Sequence, residues 1–276
     1  MKYFCFLLPL IVFKSCVAQM LRSSLPVNYT TVGTYSQHFT DVFSFTRNQA
    51  SLARVKNIAT GIYSEKRFLL QELKALSTAM SFPCLQGGMG IAADYTGSTN
   101  YNQSHAGLAY GKSLGAKIDL GVQFNYNHIS LAGYGGATAM NFEIGTIFHI
   151  TDKIQSGCHI YNPVGGKFGK NSGEKLSSVY SLGLGYEASE KLYIGSEIIK
   201  EENQLVDFNV ALHYAFEKQF FIRGGISSTV GNYYAGAGIS WKNIRLDIAA
   251  DWHPKAGLTP SLLLIFILSK NTPEQE

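Results

Sequence analysis

The chain has 276 residues, 46% of them hydrophobic, yet its mean hydropathy is only +0.02. That length suits one large β domain or two ordinary ones, and the balance of apolar and polar residues excludes a bundle of membrane helices. Charged residues make up only 15%, against 28 Gly, 17 Phe and 16 Tyr; this argues against disorder and suits strands, tight turns and aromatic belts. The formal charge is +4, two units of which (Lys2 and Lys14) fall in a leader-like segment, and no basic cluster or RNA-binding motif is present. Nucleic acid is therefore not an expected partner.

Residues 1–18 read as a secretory signal peptide: a short basic start at Lys2, an apolar core over 3–13, and small residues at 15–18. The expected cut follows Ala18. A lipoprotein reading centred on Cys16 is the alternative, but Phe13, Lys14 and Ser15 before it suit lipidation poorly. Two cysteines remain beyond the leader, Cys84 and Cys158, with no metal-ligand spacing around either, so both are expected to be free.

Residues 19–56 form an N-terminal segment rich in Ser, Thr and Asn without sustained alternation, expected to lie in or under the main body. Within it, 41–55 has the make-up of a short helix or turn. From residue 57 onward, stretches of about ten residues recur with turns between them. Fourteen are expected: 57–67, 73–83, 87–97, 103–112, 117–128, 138–150, 153–162, 178–188, 191–200, 204–217, 219–229, 232–241, 244–253 and 260–269. In the fifth, Leu120, Val122, Phe124 and Tyr126 alternate with Gly121, Gln123, Asn125 and Asn127, giving one apolar and one polar face. Phe142, Ile144 and Phe148 repeat the pattern, as do Val206 to Phe216 and Ile244 to Trp252. Near His128 the phase slips, since Ile129 and Leu131 are apolar on the polar face, and a bulge at the outer rim is expected there.

The connections alternate between short polar turns (115–117, 151–153, 189–191, 217–219, 242–243) and more varied ones (97–100, 131–137, 163–177, 201–204, 254–259). Outer-membrane barrels have short periplasmic turns and longer outer loops, which orients the chain with both ends in the periplasm, including a short tail at 270–276. A soluble periplasmic β-sandwich also alternates. Strands of ten or more residues, a polar face rich in Gly, Asn, Asp, Glu and His, and aromatics near strand ends (Tyr95, Tyr126, Tyr180, Tyr233, Trp241, Trp252) favour the membrane barrel. The expected fold is all-β: a transmembrane antiparallel β-barrel of about 14 strands over 57–269, with the N-terminal segment in or under the lumen. The last strand is apolar on both faces over 262–268, so its inner side is expected to pack against that segment or to fill the lumen.

Several short stretches resemble the FadL-like outer-membrane barrels and, within them, the PorV-like proteins associated with the type IX secretion system. Residues 48–53, Asn-Gln-Ala-Ser-Leu-Ala, are similar to that family's Asn-Pro-Ala-Gly-Leu-Ala before the first strand, with Gln49 in place of Pro. Residues 107–115, 160–163 and 257–260 resemble its strand-to-turn motifs. The resemblance spans nearly all of the chain after the leader. It implies a plugged barrel, ligand passage, or partnership with secretion proteins.

Candidate site residues are the charges expected on the lumen face: Glu187, Glu197, Asp207, His213, Arg223, Arg245, Asp247, Asp251 and His253. The plain reading is a salt-bridged hydrophilic interior. The functional reading is a solute path with Arg223, Arg245 and Asp247 at its constriction. Asp251 and His253 share a face, but no Gly-x-Ser-x-Gly marks a serine to complete a triad, so no catalytic residues are expected. Residues 165–170, Gly-Gly-Lys-Phe-Gly-Lys, lack the full phosphate-loop spacing and precede no helix; they read as the longest outer loop, with Lys167, Lys170 and Lys175 reaching anionic lipid headgroups. His149, His159 and His213 lie on separate strands, and neither a metal nor a cofactor is expected.

The expected protein is thus a non-enzymatic transport barrel in the cell outer membrane of a Gram-negative bacterium. It would pass small or hydrophobic molecules, or else anchor an envelope secretion complex. Its partners would be outer-membrane lipid and either hydrophobic small molecules or secretion-system proteins.

Overall fold

A computed structural model describes residues 29, 32–168, 175–217, 219–228 and 231–269. The leader with its cleavage site, and the tail at 270–276, lie outside the described residues. Fourteen antiparallel strands close into one barrel, each bonded to its neighbours in sequence and β14 (Gly257–Ser269) bonded back to β1 (Ile58–Lys66). In between run β2 (Lys74–Cys84), β3 (Gly87–Gly97), β4 (Tyr101–Leu114), β5 (Ile118–Leu131), β6 (Gly135–His149) and β7 (Ile154–Tyr161). β8 (Val179–Ser189), β9 (Leu192–Glu201), β10 (Val206–Ala215), β11 (Phe220–Ser227), β12 (Asn232–Trp241) and β13 (Ile244–His253) complete the wall. Closure removes every sheet edge, which is what a strand must do where no water can satisfy its backbone. It also rules out the β-sandwich alternative, which needs two separate sheets with free edges. No helix among the described residues is long and apolar enough to cross a membrane; crossing is by strands.

The alternation seen on β5 is realised around the barrel. Leu120, Val122, Phe124 and Tyr126 are exposed on the outer surface, while Gln123, Asn125 and Asn127 are buried inside. The outward band continues through Ile144, Leu182, Leu184, Ile194, Val210, Leu212, Ile222, Leu246 and Ile248. An exposed apolar surface of this extent is stable only against hydrocarbon. Strands of about ten residues, tilted as barrels require, span the ~25 Å height of such a band.

The expected bulge at His128 is absent. The pairings of β5 with β4 and β6 run without a shift to Leu131, and the irregularities fall instead at Ile58/Ala59 and Glu187/Ser189. Ile129 keeps the inward phase because it has an apolar partner: Phe168 and Leu176, from the connection between β7 and β8, turn into the mouth and pack with Ala137, Ala139 and Ile129. The same connection carries Lys167 and Lys175, both exposed, from the set expected to reach lipid headgroups. Lys175 Nζ sits 3.1 Å from both carboxylate oxygens of Glu202, and Lys167 bridges to Lys175 through the backbone; Lys170 lies outside the described residues.

The described part of the N-terminal segment occupies the lumen. Two short 3-10 turns, Ser44–Thr46 and Gln49–Arg54, form in the stretch expected to be helix or turn. Asn48 caps the second, its side chain accepting the Ala50 N–H. Val42, Phe43, Phe45 and Leu52 join Tyr63 of β1 and Leu263 and Ile265 of β14 in one apolar cluster. This is the partner that the doubly apolar β14 requires.

Candidate functional site

The lumen wall is built to receive the plug closely. A Cβ placed on Gly121 of β5 would lie 2.2 Å from the Gln49 carbonyl carbon, and one on Gly183 of β8 would lie 1.9 Å from the Tyr35 ring. These inward glycines leave room for backbone and rings that any side chain would displace.

Around that seam the plug is held by charge. The Arg47 guanidinium, 3% exposed, is paired with Glu197 of β9; its Nε lies 2.8 and 2.9 Å from the two carboxylate oxygens. Arg54 Nε donates to Asp119 of β5 at 2.7 Å, and His149 Nε2 approaches the same carboxylate at 2.6 Å. Asp41 accepts from Arg245 Nη1 at 2.9 Å and lies 3.5 Å from Arg223 Nη1, while Arg245 also pairs with Asp247. The Tyr29 hydroxyl reaches Asp247 at 3.3 Å. Glu187 accepts from Ser36 Oγ and from the Gln37 N–H.

All nine candidate charges therefore sit on the inward phase of their strands, but not as an open constriction. Arg223, Arg245 and Asp247 are joined to the plug. His213 is stacked between Phe39 of the plug and Phe221 of β11, with ring centroids 4.0 and 5.0 Å away, and its Nδ1 accepts from Arg223 Nε at 2.8 Å. Asp207 pairs with Ser227 on the next strand at 2.8 Å. His253 lies at the upper rim, Nδ1 accepting from the Lys255 and Ala256 N–H groups, and so makes no dyad with Asp251.

The earlier strands carry a polar network beyond the later-strand charges that the sequence marks out. Gln49 Nε2 donates to Glu143 of β6 at 2.8 Å, and His159 Nε2 of β7 meets the same oxygen at 2.7 Å. Asn125 Nδ2 donates to the other Glu143 oxygen at 2.7 Å; beyond it His105 bridges Asn125 and Asp94 at 2.9 and 2.7 Å. Glu143 could have been found from its phase, since it alternates with Ile144 on β6. Asp41, Arg47 and Arg54 had no periodic signal to mark them. Among the described residues no three His, Cys, Asp or Glu side chains gather as a metal site would need, and Cys84 and Cys158 are free thiols.

Beside the Arg47–Glu197 pair a small cavity remains between plug and wall, lined by Val32 and Tyr35 on one side and Tyr193, Asn209, Ala211 and Tyr234 on the other. The Tyr193 hydroxyl and both polar atoms of the Asn209 amide are buried there without protein partners. Outside the membrane span, the Glu202 carboxyl is held below the usual carboxylate range, chiefly by the hydrogen bond from Lys175 and then by the Ser178 N–H.

No protein-family model matches the chain, and no curated protein matches it. Solved structures do. The P. putida toluene transporter TodX superposes with a TM-score of 0.63 at 10% identity, over 88% of this chain and 99% of that one. The CymD monoaromatic hydrocarbon channel gives 0.60 at 10% identity, over 89% and 99%. The Ralstonia pickettii toluene transporter TbuX gives 0.59 at 9% identity, over 86% and 97%. This chain is an outer-membrane β-barrel. At such identity the likeness is one of fold, and it agrees with the closed sheet and its outward apolar band. The barrel's structural neighbours are channels and transporters rather than enzymes.

Proposed function

We propose that the barrel passes small hydrophobic molecules across the outer membrane, with the described residues of the N-terminal segment acting as a movable filling of the lumen and the fourteen strands as the wall. The observation that carries this reading is how the plug is held. Its largest apolar cluster lies on β14 and β1–β4; toward β5–β13 its apolar contacts are smaller, Tyr35 and Ala50 with Ile147 and Tyr29 and Val32 with Ala211, Tyr234 and Ala249, and ion pairs and hydrogen bonds tie it there around a residual cavity. Hydrogen bonds to charged groups can be exchanged for water at a net cost of about 1.5–3 kcal/mol each, whereas opening a close-packed apolar seam forfeits all its contacts. That side of the plug is therefore the side that can yield. The lumen charges Glu197, Arg223, Arg245 and Asp247 act in this reading as the latch of the path. The fold shared with proteins described as toluene transporters and a monoaromatic hydrocarbon channel supports a hydrophobic cargo of that size.

The test is uptake of toluene into liposomes carrying the purified barrel, alongside planar-bilayer conductance. Uptake above protein-free liposomes is expected, and a sealed, inert barrel would overturn the proposal. Recovery of envelope secretion proteins in pull-downs, without uptake, would move the reading to the anchoring role.

A further inference from the structure

At the upper rim, Lys66 ends β1 and Lys74 begins β2, and the two stand directly opposite each other in the register. Both occupy the outward phase, since Glu65 and Ala75 beside them are buried inside. Like charges directly opposite on one face of a sheet repel. Among the described residues neither lysine has a hydrogen bond or ion pair; Arg67 next to them is joined inward to Glu65 at 2.6 Å. Glu72, in the following turn, is exposed and forms no ion pair among the described residues.

Their height is fixed by the neighbouring strand. Leu76 pairs with Tyr95, an exposed outward aromatic of the kind that marks a membrane interface, so Lys74 lies one outward position beyond it, ~7 Å further out. Below them Ile62 and Leu76 belong to the lipid-facing band, and beside them Leu69, Leu70 and Leu73 are exposed on the connection. That connection is pinned at the rim. Phe68 and Leu69 hold left-handed backbone, the Phe68 N–H donates to Thr259 Oγ1 at 3.1 Å, and the Phe68 ring meets His253 edge-on at 5.7 Å.

We infer that Lys66 and Lys74 form a binding site for the phosphorylated headgroup of an outer-leaflet lipid, whose acyl chains lie along Ile62, Leu76 and the exposed leucines. A phosphate between the two ammonium groups removes their repulsion, and the apolar contacts below and beside them select a lipid over a free anion.

The test measures lipid retained by the full purified chain after exchange into nanodiscs, using bisphosphorylated lipid A against phosphatidylcholine. Lipid A should be retained preferentially by the native chain, and Lys66→Gln/Lys74→Gln should lower that retention about thirtyfold, in line with two surface lysines near an anionic membrane. Lys200→Gln, at the rim on β9 where Lys200 already donates to the Gln204 carbonyl, should leave retention unchanged. Folded state is checked by the unheated gel mobility of each variant, with the single substitutions used if the double does not fold. Equal retention by native and substituted chains would overturn the inference, as would full displacement by inorganic phosphate at the same concentration as the lipid. The readout is independent of toluene uptake.

Discussion

Arg47 shows how a residue without any sequence periodicity can hold the interior together. Its guanidinium is buried, and Glu197 is the carboxylate paired with it among the described residues, offsetting the cost of taking that charge from water. Arg47→Met leaves a buried carboxylate unpaired, so we expect a loss of about 3–5 kcal/mol in plug docking, read as faster toluene uptake and a lower urea midpoint. Adding Glu197→Leu should recover most of the midpoint, because an apolar pair avoids the desolvation penalty altogether. Identical behaviour of the single and double variants would show that the pair does not hold the plug. Glu197 was legible in the sequence as an inward charge on an alternating strand. Arg47 was not, because a residue in a segment without regular periodicity carries no phase from which its direction can be read.

Among the elements, β5 was legible almost to the residue, while its outer end was misread. Ile129 broke the polar phase, and a bulge was the local explanation. The real cause is 39 positions away in sequence, where Phe168 enters the mouth and makes an apolar inward residue favourable. Phe168→Ala should weaken that docking by about 3–5 kcal/mol. Proteolysis of intact cells should then cut within 162–178 far faster than in the native protein, with barrel mobility on gels unchanged; equal cutting rates would refute the docking role. β14 gave the opposite outcome. Its doubly apolar sequence demanded a partner inside, and Phe43 and Phe45 supply it.

For the whole molecule, stability rests first on the hydrocarbon that surrounds the outward face. Val122 lies in the middle of β5 on that face, and Val122→Arg should cost about 2–4 kcal/mol in a urea titration of barrels folded in vesicles. An unchanged midpoint would mean that this face does not meet hydrocarbon. Strand number, orientation of the faces and the barrel class followed from the sequence alone, because a two-residue period and a regular turn spacing are local properties written along the chain. Which charges meet, and therefore whether the lumen is open or filled, was settled only by tertiary structure. Arg245 and Asp41 stand 204 positions apart and reach 2.9 Å only once the sheet has closed around the plug. Closure brings distant residues together through shear and register, and no periodicity in the sequence encodes that meeting.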